Sequence, residues 1–518
     1  MKKNVTGKFY LKTCLFIIVT LFMLLNFSAL SAQTVSGIVF DDVNLNNEYD
    51  SGEKGIPDVG ISNGVDIVLT DETGRYSIEL NDQKIVFLIK PSGYNTFVGS
   101  KTNKPFFYYN INESEGMGGV ISGKDFPLIK TEVRNNFSMV VLGDIQVTDD
   151  EEINYLRDIT IPELINERAS FVLTLGDNAN NNLEVYPRLT EVLGKIGKPV
   201  YYLPGNHDTN DNLEGPSSHY NIYQEYFGPE YYSFNYGKVH FIILNDVKWE
   251  NGAYHGELGE KQLNWIKEDL KYVPKENLIV ISMHIPLISW VDKDSPRHHV
   301  KDRQELFNLL DGFDNVLTLA GHTHTLERLY PNDILDGWDS ELPFPHIIAG
   351  AVCGSWWNGD KDEFGVPFSY MRDGAPKGYF IFNFSDNTYE DSYKTTGKPK
   401  DYQMHISLLN GSEYDSDNII NKNEINNVKV VANVFNGDRD SEVSISYDNS
   451  DYLSMEREPI IDPLLDERLL GNTEASQSTH TWTYNLPENL SEGVHTINVK
   501  FVDRYGNEYR ASKIFEVQ

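Results

Sequence analysis

The chain has 518 residues, of which 40% are hydrophobic and 12% aromatic, with a formal net charge of −33. That apolar content excludes a globally disordered chain, and the acidic excess repels phosphate backbones and excludes nucleic-acid binding through a basic groove. The only cysteines, Cys14 and Cys353, exclude a disulfide scaffold and a cysteine zinc cluster.

Residues 1–32 read as a signal peptide. Lys2, Lys3, Lys8 and Lys12 precede the apolar run Leu15–Leu25, and Ala29-Leu30-Ser31-Ala32 offers a cleavage site before Gln33. The run is short for a retained membrane span. Cys14 precedes it, so a lipidated cysteine is not expected. Cleavage would leave Cys353 alone, with no internal disulfide. The expected location is outside the cytoplasm: periplasmic, cell-surface or secreted.

Residues 33–132 carry short β-prone runs, Val35–Phe40, Asp66–Thr70, Tyr76–Leu80 and Ile85–Lys90, separated by Gly, Asn, Asp and Pro. This is the pattern of a small β-sandwich. Within it, Asp42, Asn44, Asn46, Glu48, Asp50 and Glu53 fall at positions 1, 3, 5, 7, 9 and 12 of a calcium loop. Asn47 stands where Gly is usual, and a hydrophilic hairpin without metal is the alternative. From 136 to 390, apolar strand-like runs alternate with amphipathic stretches such as Glu257–Leu270 and Lys301–Leu310, an α/β texture. From 400 to 518 strands return, at Val428–Phe435, Glu442–Tyr447, His480–Tyr484, His495–Asp503 and Ser512–Val517, again as a β-sandwich.

Five times in the middle region an apolar run ends in a group that binds metal. Val140-Val141-Leu142-Gly143 leads to Asp144-Ile145-Gln146. Phe171 to Gly176 leads to Asp177-Asn178. Val200 to Pro204 leads to Gly205-Asn206-His207-Asp208. Leu278 to Met283 leads to His284, and Val316 to Ala320 leads to Gly321-His322-Thr323-His324. Sites of α/β sheets form at the carboxyl ends of strands, so five such ends are expected to converge on one crevice. Oxygen ligands mixed with imidazole suit Zn, Mn or Fe(II) better than Ca or Mg, and phosphoryl transfer commonly uses two such ions.

These motifs resemble the calcineurin-like metallophosphoesterase superfamily, whose signature runs Asp-x-His, Gly-Asp, Gly-Asn-His-Asp/Glu, His, Gly-His-x-His. The resemblance implies a β-sandwich flanked by helices and a binuclear centre of two divalent transition metal ions. It places Asp144, Gln146, Asp177 and His324 on one ion, and Asp177, Asn206, His284 and His322 on the other. His207, paired with Asp208 or another acid, would act on the scissile phosphate. Gln146 departs from the usual His, a weaker and harder ligand that marks a subgroup with Asp-x-Gln. The flanking regions, through Thr70 to Tyr76, Val431 to Phe435 and Asp503 to Gly506, resemble the N- and C-terminal β domains of secreted bacterial members.

Trp356, Trp357, Asp373 and Tyr379 belong to a pair of segments that in the resembling proteins lies beside the metal site. They read as a substrate wall or as core residues around a turn. Arg297-His298-His299 could hold a phosphate oxygen, and a solvated loop is the blander reading. The expected function is an exported metal-dependent hydrolase of phosphate mono- or diesters. The alternative is a surface or periplasmic binding protein with a degenerate domain, against which the intact motif set speaks. Substrate identity and oligomeric state are not legible.

Overall fold

A computed structural model describes residues 33–518 apart from 112–118, 211–218, 292, 294, 336–337, 412, 415–416 and 449. The signal-peptide reading therefore lies outside the described residues. Among these, no helix is long and apolar enough to cross a membrane.

The middle region is a sandwich of two mixed sheets. One orders Val200–Tyr201, Phe171–Thr174, Asn136–Leu142, Gly378–Ser385 and Thr388–Thr395; the first three are parallel, with Met139 opposite Phe171 and Val172 opposite Val200. The other orders Tyr232–Tyr236, Val239–Ile243, Leu278–Ser282, Asn315–Ala320, His346–Ala349 and Leu326–Leu329, with four parallel strands at its centre. These parallel strands are near-continuous apolar runs because both faces are covered. An aromatic cluster fills the space between the sheets: Phe171 lies 5.5 Å from Phe234 and 5.3 Å from Phe241, ring centre to ring centre, and Phe241 lies 5.7 Å from Phe384. Helices Tyr186–Gly194, Gly259–Asp269 and Arg303–Leu310 pack outside.

The N-terminal sandwich shares its core with the middle region rather than standing apart. Trp265 is fully buried and its indole N–H donates to Ser62 Oγ at 2.9 Å, while Phe107 and Tyr232 meet at 4.8 Å. The C-terminal region forms two five-stranded sheets around its own core of Val430, Ile445, Trp482 and Phe501. It is tied to the middle region through buried polar groups. His480 Nε2 lies 3.0 Å from Asp373 Oδ2, and Asn433 donates to the Asp373 carbonyl at 2.9 Å. Arg328 pairs with Asp391 and donates to Asn436.

Candidate metal centre

The ligand motifs come from both sheets. Asp144, Asp177 and Asn206 follow the carboxyl ends of three strands in one sheet; His284, His322 and His324 follow two strands in the other. All seven candidate ligands, Gln146 included, are buried. Five of them, Asp144, Gln146, Asp177, His322 and His324, have left-handed backbone with φ between 38° and 75°. Such strain at non-glycine residues persists only where the surroundings enforce it, and it concentrates at functional sites. Here the loops brace one another. Gln146 N–H donates to the Asp177 carbonyl at 2.7 Å, Gly321 N–H to the His284 carbonyl at 3.0 Å, and His322 N–H to both Asp144 carboxylate oxygens at 3.0 and 2.9 Å. Two motif glycines are needed for closeness. A Cβ on Gly321 would sit 2.4 Å from Asp144 Oδ2, and one on Gly205 would sit 2.1 Å from Asp177 Oδ1.

The imidazoles are oriented by their far nitrogens. His284 Nδ1 donates to the Leu175 carbonyl at 2.8 Å, His322 Nε2 to the Arg297 carbonyl at 3.0 Å, and His324 Nδ1 to the Gly354 carbonyl at 2.5 Å. A carbonyl only accepts, so each far nitrogen carries a proton and the near nitrogen is the one turned to the centre, the orientation of metal-ligating histidines. The near nitrogens converge. His284 Nε2 is 3.0 Å from Asn206 Oδ1, 3.2 Å from His322 Nδ1 and 3.4 Å from Asp177 Oδ2. The ligand atoms of Asp177, His284 and His322 all lie within 4.8 Å of one another. Nearby, His324 Nε2 is 3.5 Å from Asp144 Oδ1 and the Gln146 amide is 3.2 Å from Asp177 Oδ2.

Charge points the same way. Burial opposes a proton on His284, yet Asp177 and Asp144 outweigh it and raise its pKa to about 10. Burial, then the neighbouring His284, holds His322 well below the usual imidazole range. Two buried imidazoles facing each other over a carboxylate thus accommodate one positive charge between them. The donor set fits a divalent ion on the His284–His322–Asn206–Asp177 side and a second on the Asp144–Gln146–His324 side, with Asp177 between. To ligate through its oxygen, Gln146 would turn its amide over, which would send its NH₂ towards Cys353 Sγ, now 3.7 Å from Oε1.

His207 stands at the rim with its side chain 28% exposed. Its N–H donates to Asp177 Oδ1 at 2.8 Å, its Nδ1 lies 3.0 Å from Asn181 Oδ1, and its Nε2 lies 4.0 Å from Asp177 Oδ2. The expected pairing with Asp208 is not made. Asp208 is fully buried and its carboxylate accepts from the N–H groups of Asn178, Ala179 and Gly205, from the Asn178 amide and from Tyr186 OH, at 2.8–3.0 Å. It is the clasp of the two loops, turned away from the rim, and Asn181 takes the orienting place.

The expected substrate wall divides. Trp356 stacks on His324 with ring centres 4.0 Å apart and stays partly exposed, so it does flank the centre. Trp357 is buried and donates to the Ile145 carbonyl at 3.1 Å, bracing the Asp144–Gln146 loop. Asp373 is buried against Leu326 N–H and His480, and Tyr379 is a fully buried strand residue facing Glu163. These three are structural, because each spends its polar atoms inside the fold. The calcium-loop residues lie together in the Asp42–Glu53 loop. Asp50 accepts from the Asn44 and Asn46 amides, Asp42 from the N–H groups of Leu45, Asn46 and Asn47, and Glu53 from those of Val43 and Asp50; Glu48 joins only through its N–H to Asn46. Sequence reasoning missed Asn181, and Asn-Asn-Asn at 180–182 carries no signal that marks one of them.

Family models agree with this geometry along the chain. Calcineurin-like phosphoesterase matches residues 137–326, its N-terminal domain 43–126 and its C-terminal domain 346–509. The chain belongs to the calcineurin-like phosphoesterase family. Among curated relatives, a probable glycerophosphodiester phosphodiesterase of Arcobacter nitrofigilis is 25% identical over 170 residues, 32% of this chain and 61% of its own length. A 3',5'-cyclic-nucleotide phosphodiesterase of Nostoc sp. is 29% identical over 168 residues, 31% of this chain and 58% of its own. Purple acid phosphatase 23 of Arabidopsis thaliana is 31% identical over 269 residues, 43% of this chain and 54% of its own. The chain thus spans little more than half the length of these relatives. Family members use a binuclear metal centre, and the buried cluster described above is where this member has the donors for one.

Proposed function

We propose that this protein is an exported, binuclear metal-dependent hydrolase of phosphate mono- or diesters. The observation that carries the reading is the set of three buried imidazoles, each fixed by a backbone carbonyl on its far nitrogen, converging on shared carboxylates. Asp177, Asn206, His284 and His322 would hold one ion, and Asp144, Gln146, Asp177 and His324 the other. When bound, such ions supply Lewis-acid activation of the phosphoryl group and of the attacking water. The chain's own part is different. His207 keeps Nε2 towards the centre because Asn181 engages Nδ1, so it can give a proton or a hydrogen bond to the leaving oxygen. Trp356 shields one face of His324, and the burial of the ligands excludes water from all but the rim. Export rests on the pattern of residues 1–32 and is tested by sequencing the mature N-terminus, expected at Gln33. The hydrolase reading is tested by chelating the purified protein and restoring Mn or Zn. Hydrolysis of p-nitrophenyl phosphate or its bis ester should vanish and return. A protein that holds two ions yet cleaves neither ester would refute it.

A further inference from the structure

A hairpin, Val247–Glu250 with Ala253–Gly256, stands beside the His322 side of the centre. Its cross-strand pair is Trp249 opposite Tyr254, with ring centres 5.5 Å apart. Tyr254 packs its ring against His322 at 5.7 Å. The loop around Arg297 is strapped to this hairpin by a bridge between Gly256 and Val300, and Lys301 N–H donates to the Gly256 carbonyl at 3.0 Å. The same loop gives His322 its orienting carbonyl, so it cannot drift from the centre without releasing that imidazole.

Besides the buried Trp249 indole N–H, two polar groups on this unit have no internal hydrogen-bonding use among the described residues. The Tyr254 hydroxyl makes no hydrogen bond among the described residues, although the ring is mostly covered. A phenol is a donor at neutral pH. The exposed Arg297 guanidinium lies 5.4 Å from the Tyr254 ring centre and has no carboxylate partner among the described residues. In a chain with 77 acidic residues against 44 basic, an arginine without an acid among the described residues, held by an aromatic face beside the candidate ligand His322, suits an anion from outside.

We propose that Arg297 and Tyr254 form an anion anchor on the His322 side, selecting phosphate esters that carry a second negative charge. That charge sits on the reacting phosphoryl group, as in a monoester dianion, or on the phosphate next to it, as in a diphosphate. The anchor rests on the phosphoesterase reading for its substrate but not for its binding. Arg297 adds a fixed positive charge outside the candidate ligand set, so an ester with a second charge gains a contact that a singly charged ester lacks.

The test compares Arg297→Ala, Arg297→Lys and Tyr254→Phe with the unmodified, metal-loaded protein. The substrates are p-nitrophenyl phosphate, ADP and bis(p-nitrophenyl) phosphate, which has a single charge. Arg297→Ala should lower kcat/KM for p-nitrophenyl phosphate, ADP or both, which carry more than one charge, about tenfold more than for the singly charged bis ester, the size of one charge-assisted hydrogen bond. Arg297→Lys should recover part of this, and Tyr254→Phe should show a smaller loss of the same kind. Loss on ADP alone would place the second charge on the neighbouring phosphate; loss on p-nitrophenyl phosphate would place it on the reacting one. Calorimetry with inorganic phosphate and pyrophosphate gives a readout free of turnover: Arg297→Ala should weaken binding of pyrophosphate, or of both, about tenfold with metal content unchanged. Equal losses on all three substrates, unaltered affinity for both phosphate and pyrophosphate, or loss of metal on replacing Arg297 would overturn the anchor. If the unmodified protein cleaves none of the esters, the hydrolase reading fails while phosphate calorimetry still decides the anchor.

Discussion

Gly205→Ala should disable the centre without touching a ligand. The new Cβ would lie 2.1 Å from Asp177 Oδ1, 2.3 Å from Asp177 N and 2.8 Å from its Cγ. Ordinary contact needs about 3.5 Å, so the carboxylate or its loop must withdraw by more than about 1 Å. Neither can move alone. Asp177 accepts from His207 N–H and the Gln146 amide, and Gly205 N–H is fixed to Asp208 Oδ2 at 2.9 Å. A misplacement of about 1 Å costs roughly 10²-fold in rate, and overpacking of this kind costs about 1–3 kcal/mol in stability. Metal content by mass spectrometry, kcat/KM on p-nitrophenyl phosphate and thermal unfolding measure the three effects. Gly312→Ala is the control: its φ of 85° strains any side chain, a strain Gly205 does not have, but open space surrounds it, so it should cost only about 1–2 kcal/mol and leave the centre intact. If Gly205→Ala kept both ions and full activity, Asp177 would not be the shared ligand whose position sets the centre.

Three further outcomes separate the roles of neighbouring residues. His207→Ala should keep two ions and lose roughly 10²–10⁴-fold in kcat on an alkyl phosphate, and much less on a nitrophenyl ester; loss of metal would contradict its place at the rim. Asp208→Ala should act on the fold instead, because five donors lose their acceptor; at about 1 kcal/mol or more each, a drop of at least about 3 kcal/mol should appear in denaturant unfolding, and an unaltered midpoint would refute the clasp. Asp373→Ala leaves Leu326 N–H and His480 without their partner, so proteolysis should release the C-terminal sandwich more readily; an unchanged digestion rate would mean that this contact does not hold the two regions together.

The candidate metal ligands were legible because each motif follows an apolar strand, and Asp144, Asp177, Asn206 and His322 each come directly after a glycine, a pattern that strand geometry and close packing both favour. Both flanking sandwiches were legible from short alternating runs. What the sequence hid was direction. Asp208 and Asp373 sit beside motif residues, yet neighbours along a turn point different ways, and both side chains fold inward onto N–H groups that have no signature. Trp357 and Trp356 are adjacent, and only one faces the centre. The carbonyls that orient the imidazoles, Leu175, Arg297 and Gly354, are backbone atoms that any residue would supply. For the same reason the loop at Arg297 looked like a solvated run of basic residues. The shared core of the N-terminal and middle regions was also hidden, since it depends on Trp265 reaching Ser62 across 203 residues.

The central claim is that the converging imidazoles and carboxylates hold two divalent ions that make a phosphoesterase. The most direct measurement is a titration of chelated protein with Mn or Zn, following bound metal and p-nitrophenyl ester hydrolysis in the same samples. Two bound ions per chain are expected, with activity that rises as the second site fills, and failure of both in Asp177→Ala. Full hydrolysis without metal, or two bound ions in Asp177→Ala with activity intact, would contradict that claim.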